Sequence, residues 1–159
     1  MKSKTLATWI ALLGGGFGLH RFYLYGLRDL WGWLWWLPTL VGAYGAARVL
    51  KHGQDDQLAW VLVPLLGVSV SAAMLAAIVY GLTPDEKWDR RFNPSGRASR
   101  SGWGAVMGVV LALLLGAGVL MATIAFSAQR YFEYQVELRA KAAAPTDANA
   151  QRNSAKPTQ

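Results

Sequence analysis

Two long runs without charge constrain the fold of this chain more than any other feature. Residues 57–84 contain no charged side chain over 28 positions, and residues 101–129 contain none over 29. A bilayer core of ~30 Å is crossed by about 20 apolar residues in a helix. Because a helix satisfies its own backbone hydrogen bonds, it is the form that an isolated apolar segment takes in hydrocarbon. Both runs are therefore predicted to be membrane-spanning helices.

Two shorter uncharged runs, residues 5–19 and 30–47, lie nearer the N-terminus. The second is just long enough to cross. The first crosses only if Lys4 extends its amine to the headgroups and Phe22 and Tyr23 complete the span at the interface. No small-x-small cleavage site follows it, so a retained helix is favoured over a signal peptide. We therefore expect an all-α, multi-pass integral membrane protein of four transmembrane helices, arranged as two helical hairpins with both termini on one side.

The domain organisation follows from these runs. Residues 1–50 are expected to form the first hairpin and residues 51–130 the second, which includes a basic loop at 83–101. Residues 131–159 form a polar tail. From residue 142 onward this tail consists mainly of Ala, Pro, Asn, Gln, Thr and Ser, so it cannot bury enough apolar area to fold. The tail is predicted to be largely disordered.

Two of the connecting segments contain helix-start signals. Asp55 and Asp56 precede the third span, where negative charge is favourable, and we interpret them as capping residues. Thr83 precedes Pro-Asp-Glu, the pattern of a capping box with Thr83 as the N-cap. A short helix over 84–92 is predicted there. Its tryptophan, Trp88, stands beside two arginines, which is typical of a segment at the membrane surface.

The composition excludes several kinds of chemistry. The chain has no cysteine, so disulfides and thiolate catalysis are excluded, and its two histidines, His20 and His52, are too few for a zinc site. The four predicted spans contain no Asp, Glu, Lys, Arg or His, which argues against proton-coupled transport. We expect no catalytic residue, cofactor or metal, and therefore no enzyme. The net charge of +7 comes largely from basic residues that flank the spans, which indicates headgroups and not nucleic acid as their partner.

Small residues recur at the spacing that lets membrane helices approach closely. Gly14 and Gly18 form one G-x-x-x-G pattern, and Gly104 and Gly108 form another. We interpret all four as helix-packing positions. The pattern leaves open whether the contact lies within one chain or between two.

The connection between the first two runs contains His20-Arg21-Phe22-Tyr23. Arg21 keeps its charge at any physiological pH, so it requires a headgroup phosphate, a carboxylate or helix-end carbonyls. His20 titrates near neutrality in an ordinary environment and is a candidate pH sensor. Two interpretations remain: a rigid turn that fixes the hairpin, or a turn that recognises a partner or lipid.

The same segment resembles the TM2 domain, a two-helix membrane module with an (Asp/His)-Arg-Phe-Tyr core in its connection. The resemblance covers about residues 1–50 and implies seven motif positions: Gly15, Gly18, His20, Arg21, Phe22, Tyr23 and Gly26. Tyr25 intervenes before Gly26, where the family commonly has glycine at once. The acid near the end of the family's second helix is missing here. Histidine replaces the motif's acid at position 20, so an acid–arginine switch does not transfer.

The resemblance implies an architecture more readily than a mechanism. The second hairpin is similar to the accessory helices of some bacterial members, which implies a bacterial inner membrane. We expect a protein that acts by protein or lipid interaction, as a scaffold or accessory subunit. Its partners would be the lipid bilayer and another membrane protein or a second copy of itself. The alternatives are a subunit of an oligomeric channel or transporter, and a membrane enzyme in which His20, Arg21 and Asp85 converge on a lipid-linked substrate.

Overall fold

The computed structural model describes residues 1–94 and 100–154, with side chains up to residue 143. Over these ranges the chain is all-helical, which confirms the predicted fold class. A 3-10 turn, Gly15–Phe17, separates the first two helices. The seven α-helices are α1 (Lys4–Gly14), α2 (Leu19–Tyr25), α3 (Leu30–Leu34), α4 (Trp36–His52), α5 (Gln57–Leu82), α6 (Asp85–Phe92) and α7 (Trp103–Ser154). The chain divides into two compact units, Met1–Ile124 and Ala125–Gln159.

Two helices are long and apolar enough to cross a membrane. They are α5, with 26 residues, and the portion Trp103–Ala143 of α7. Only 22% of the apolar window of α5 and 6% of that of α7 is buried within the protein. By contrast, α1 has 11 residues and α4 has 17, fewer than the ~20 that a span requires. The prediction of four spanning helices is not confirmed.

The first predicted span is not one helix. Helix α1 ends at Gly14, and Gly18 adopts a left-handed conformation with φ 69°, after which α2 runs back alongside α1. The backbone N–H of Ser3 donates to the Tyr23 hydroxyl at 2.8 Å, so the end of α2 lies beside the start of α1. The physical reason is Gly18, because glycine alone takes a positive φ without strain. The His-Arg-Phe-Tyr segment is consequently helical, and its prediction as a turn is wrong.

Helices α1 and α4 lie end to end along one face of α5. Gly15, which directly follows α1, approaches Ala73 of α5, whereas Gly42 of α4 approaches Leu66, seven residues earlier in α5. At the junction, the Thr39 hydroxyl donates a hydrogen bond to the Gly16 carbonyl. Helices α1 and α4 therefore form one line along α5, and α2 and α3 lie outside that line.

The first part of α7 runs antiparallel to α5 and completes the bundle. Gly116 lies against Met74 and Gly81 against Val109, with no space for a further side-chain atom at either glycine. The buried apolar side chains at the centre are mostly small. Fully buried alanines occur on α1, α5 and α7: Ala7, Ala11, Ala59, Ala73, Ala77 and Ala112. Close approach of backbones at small residues is the packing typical of membrane helices.

The N-terminal segment lies at the same end of the bundle as α6. The backbone N–H of Lys2 donates to Asn93 Oδ1 at 2.7 Å, and Lys4 Nζ pairs with Asp85 Oδ1 at 2.6 Å. We call the end formed by residues 1–4, the last turn of α2, α6 and the start of α7 the α6 end. A first span across the bundle would have placed residues 1–4 at the opposite end, beside the turn at 53–56. The α1–α2 reversal returns the chain to the end at which it began.

The local signals of the connecting segments predict part of the structure correctly. Asp56 is the N-cap of α5 and accepts from the Leu58 N–H at 3.1 Å, as predicted, and the helix predicted over 84–92 is α6. Thr83 as N-cap is wrong, because Pro84 occupies that position. The Thr83 hydroxyl instead donates to the Val79 carbonyl at 2.6 Å, within the last turn of α5.

Residues 142–154 are helical, although composition predicts disorder from residue 142 onward. Helix α7 continues to Ser154, and residues 155–159 lie outside the described part of the chain. Ion pairs one turn apart lie in the preceding part of α7: Arg130–Glu133 at 2.7 Å and Lys141–Glu137 at 3.9 Å. Such pairs and a run of alanine favour helix locally without tertiary burial.

Replacing Gly42 by alanine is expected to destabilise the bundle. A Cβ at this position would lie 2.3 Å from the Leu66 backbone nitrogen, so α4 and α5 must separate. We expect the free energy of unfolding, measured by SDS titration in mixed micelles, to fall by roughly 1–3 kcal/mol. Gly118→Ala is the matched control, because nothing lies within 4 Å of a Cβ there. Equal losses for both variants would contradict this packing.

Candidate functional site

Helix α2 distributes the four motif side chains in different directions. Successive side chains on an α-helix are about 100° apart. His20 therefore points into the bundle, Arg21 towards α3 and Phe22 across α3, while Tyr23 reaches back to the N-terminal segment. The motif therefore connects α2 with the bundle, with α3 and with the N-terminal segment.

Arg21 forms a two-point ion pair with Asp29. Its Nε lies 2.6 Å from Asp29 Oδ2, and its Nη2 lies 3.4 Å from Oδ1. The guanidinium also lies 5.2 Å from the centre of the Tyr25 ring, one turn along α2. The hydrogen bond from Arg21 lowers the pKa of Asp29 and raises that of Arg21, so both groups stay charged. Of the three partners expected for Arg21, the structure provides the carboxylate.

Sequence reasoning missed Asp29. It occupies the N-cap position of α3 and directly precedes an apolar run, which is a usual signal for a helix start. The resemblance directed attention to position 20 and to the end of the second helix as places for an acid. The acid that pairs with Arg21 is instead Asp29, which lies at the end of the Gly26–Asp29 turn, eight residues after Arg21.

His20 is a buried packing residue. Its side chain is 3% exposed, and its ring lies between those of Trp35, at 6.3 Å, and Tyr80, at 5.7 Å. Nδ1 has no hydrogen-bond partner within the described residues. Burial lowers the pKa of His20 to about 4, and the charge of Arg21 lowers it further while that of Asp29 opposes. The imidazole is therefore neutral at physiological pH and does not titrate there, contrary to its role as a candidate sensor.

Phe22 and Tyr23 make contacts inside the protein. The Phe22 ring covers Gly32, where a Cβ would lie 2.5 Å from Phe22 Cε1, and it lies 5.2 Å from the Trp33 ring. The Tyr23 hydroxyl accepts from Ser3, as described above. Both side chains fasten α2 to its neighbours in the chain.

The motif glycines allow two reversals. Gly18 leaves α1 and the 3-10 turn with positive φ, and a Cβ there would also lie 2.6 Å from the Gly32 carbonyl oxygen. Gly26, with φ 86°, ends α2 by donating its N–H to the Phe22 carbonyl at 2.9 Å. Gly15 gives room for Ala73.

Of the predicted packing glycines, one pair shares a helix face and the other does not. Gly14 and Gly18 are separated by the end of α1, so they form no common helical surface. Gly104 and Gly108 lie on α7 and face Thr5 and Thr8 of α1, with Cβ positions 3.2 and 2.8 Å from the threonine methyl groups.

The three residues named for a membrane enzyme have different partners. His20 packs between Trp35 and Tyr80, Arg21 pairs with Asp29, and Asp85 accepts from Lys4 and from Ser101 at the α6 end. Among the residues that the structure describes, no group of three His, Asp or Glu side chains is placed to hold a metal ion.

Trp88 does not face the membrane surface as predicted. It is 1% exposed and packs with Ala7 and Leu24, and its Nε1 donates to the Lys2 carbonyl at 2.9 Å. The apolar face of α6 is thus used by the protein itself. Its outer face carries exposed Lys87, Arg90 and Arg91.

The burial of His20 predicts a pH-dependent stability. Unfolded His20 binds a proton near pH 6.5, whereas the folded side chain resists protonation down to about pH 4. Stability is therefore complete above pH 6.5 and is lost as the pH falls towards 4. We expect the free energy of unfolding to drop by about 2 kcal/mol between pH 6.5 and 4.5.

His20→Leu should remove most of this pH dependence, and His52→Gln, at an exposed position, should retain it. Measured in the same detergent, identical pH profiles for the wild type and His20→Leu would show that another group is responsible.

Comparison of the chain with family models, curated proteins and solved structures finds no match to any of them. The TM2 resemblance therefore stays a prediction that rests on the motif residues.

Proposed function

We propose that the chain is a multi-pass integral membrane protein of TM2 type in a bacterial inner membrane, and that it acts as a scaffold or accessory subunit by protein or lipid interaction. The outward apolar faces of α5 and α7 support membrane insertion most strongly. Large apolar side chains are exposed along both helices: Val61, Val68, Leu75 and Val79 on α5, and Val110, Leu113, Leu114 and Met121 on α7. Water does not tolerate so large an apolar surface, and hydrocarbon does.

The contacts favour three crossings and one re-entrant hairpin. Helices α5 and α7 each cross, and α3 with α4 together cover residues 30–52 along a path that ends at the 53–56 turn. Helices α1 and α2 enter and leave at the α6 end. Backbone that reverses at membrane depth is tolerated where it is buried in protein, as Gly15 and Thr39 are here.

The placement of the N-terminal segment also supports one orientation in the proposed membrane. Residues Lys2 and Lys4 join the basic residues of α2 and α6, so the described part of Met1–Ile124 has eight Lys and Arg at the α6 end. The opposite end has Arg48 and Lys51. By the positive-inside rule, the α6 end faces the cytoplasm. Counted from the sequence, with Lys2 and Lys4 on the other side and with Arg130, Arg139 and Lys141 included there, the Lys and Arg residues tie at seven to seven and give no orientation.

The surface beside the Arg21–Asp29 pair is the best candidate for a partner contact. The Gly26–Asp29 turn and the start of α3 expose large side chains, with Leu27 74%, Leu30 80% and Trp31 63% accessible. The ion pair holds the two arms of this turn together. We call Leu27, Leu30 and Trp31 the turn patch.

Cysteine labelling tests the topology directly, because the chain contains no cysteine of its own. Ser3→Cys and Glu86→Cys should react with an impermeant maleimide only from the cytoplasmic face. Lys51→Cys should react only from the other face. If the chain crossed the membrane four times, Ser3→Cys and Lys51→Cys would instead react from the same face. If no variant resists carbonate extraction, membrane insertion itself is wrong.

A quantitative pull-down from native membranes in mild detergent tests the interaction. A partner that copurifies with the wild type should be lost with Trp31→Ala, which removes an exposed contact, and with Arg21→Ala, which releases the turn. Arg21→Lys keeps the charge but not the two-point geometry, so we expect partial loss. Leu50→Ala is the matched control, because Leu50 is exposed at the opposite end. An unchanged set of partners in all variants would make the junction purely structural.

A further inference from the structure

We infer that the α6 end contains a binding site for a phosphate group, and that an anionic phospholipid headgroup supplies it. The site is a cavity of about 210 Å³, and the residues that carry the argument are Lys2, Lys4, Asn93, Arg100 and Ser101. The choice of lipid as the source rests on the proposed membrane function. The site itself rests on the geometry of these side chains.

The walls of the cavity are held in place by partly buried hydrogen bonds. Asn93, which is buried, accepts from the Lys2 N–H and donates from Nδ2 to the Lys2 carbonyl at 3.1 Å. The indole of Trp88 donates to the same carbonyl. Residues 93 and 2 are distant in sequence, so this clasp fixes the N-terminal segment against α6. A site that is already assembled costs little ordering entropy when an anion binds.

The cavity has more positive than negative charge. Lys4 is 6% exposed; its ammonium contacts Asp85 and the Thr83 carbonyl, which leaves one of its three protons for a further acceptor. Lys2 Nζ donates to the Leu24 carbonyl. Within the described residues, neither Lys2 nor Arg100 forms an ion pair with a carboxylate. Of the three cationic lining residues only Lys4 contacts Asp85, and a second acid beside the lining, Asp89, accepts from Asn93 Nδ2 at 3.1 Å.

The Ser101 donors of the lining are already bonded to Asp85. Ser101 donates to Asp85 from both its backbone N–H, at 2.8 Å, and its hydroxyl. This contact orients Asp85 and keeps its charge directed at Lys4. Hydrogen bonds from Lys4 and Ser101 lower the pKa of Asp85 to about 2 against the opposing effect of burial, so the group is ionised at any physiological pH. Asp85 therefore neutralises Lys4, and the cations of the lining that are left for an anion are Lys2 and Arg100.

The position of the cavity favours a lipid as the source of the phosphate. Lys4 begins α1, Thr83 follows the end of α5, and Ser101 lies two residues before α7. The cavity therefore opens where the apolar lengths of three helices end. Headgroup phosphates lie just outside the hydrocarbon, and basic pockets at that depth bind anionic headgroups.

The test uses the full chain in lipid nanodiscs or detergent. Wild-type protein is titrated with dioleoyl phosphatidylglycerol and with dioleoyl phosphatidylcholine, and bound lipid is counted by native mass spectrometry. We expect a preference for phosphatidylglycerol that Arg100→Gln and Lys2→Gln each reduce roughly fivefold, as expected for loss of one partly solvated charged hydrogen bond.

Two control variants separate a site from a diffuse charge effect. Arg90→Gln removes an exposed cation at the same end but outside the cavity lining, and Lys51→Gln removes one at the opposite end. Both should bind phosphatidylglycerol within twofold of the wild type. Equal losses for Arg90→Gln and Arg100→Gln would overturn the site. Equal binding of the two lipids by the wild type would overturn the anionic lipid as its source. The unfolding midpoint of each variant in the same detergent identifies any that fail to fold.

A further titration with inorganic phosphate distinguishes the sources. If inorganic phosphate competes only weakly with phosphatidylglycerol, the result supports the lipid as the source. Phosphate that binds the wild type in an Arg100-dependent manner, without any lipid preference, retains the site and overturns the lipid as its source. Carbonate extraction of the same variants tests membrane insertion separately, so a failed site and a failed proposed function give different results.

Discussion

The reversal at Gly18 is the constraint on which the rest of Met1–Ile124 depends. A positive φ and a backbone carbonyl of α3 at contact distance together exclude any side chain at this position. Because the chain turns there, α1 stops halfway along α5, α4 can occupy the remaining half, and residues 1–4 meet α6. The clasp of Lys2 with Asn93, the ion pair of Lys4 with Asp85 and the basic character of the α6 end all follow from that one change of direction.

The Arg21–Asp29 pair has a related but separate role. A lone arginine close to hydrocarbon is costly, and a carboxylate eight residues later removes that cost within the same hairpin. The two-point geometry also fixes the Gly26–Asp29 turn, so the exposed side chains of the turn patch are presented by a stiff loop. His20 contributes differently: as a neutral ring it packs α2 against Tyr80 of α5. Adjacent residues of one motif thus join different pairs of elements.

Local sequence signals predicted part of the fold well. The uncharged run that became α5, the Asp56 cap and the short helix α6 each depend on residues within a few positions of one another. What sequence reasoning missed depends on distant contacts. The glycines at 14–18 have the composition of a packing face, and only their conformation shows a reversal. The partnership of Lys2 with Asn93 spans 91 positions and leaves no local pattern. The sequence predicts that the charge of Arg21 requires a partner, but no residue of the motif indicates that this partner is Asp29.

The end-to-end arrangement of α1 and α4 has a consequence for biogenesis. The N-terminal part of a chain is synthesised first. Helices α1 and α2 therefore leave the ribosome before the half of α5 that contains Ala73 and Gly81 has been made. Until then the faces of α1 and α2 that pack on α5 are uncovered, and each of the two helices is too short to cross a membrane by itself. The packing of this hairpin against the protein must therefore follow the synthesis of α5. The first segment to be made completes its contacts only after a segment that is made later.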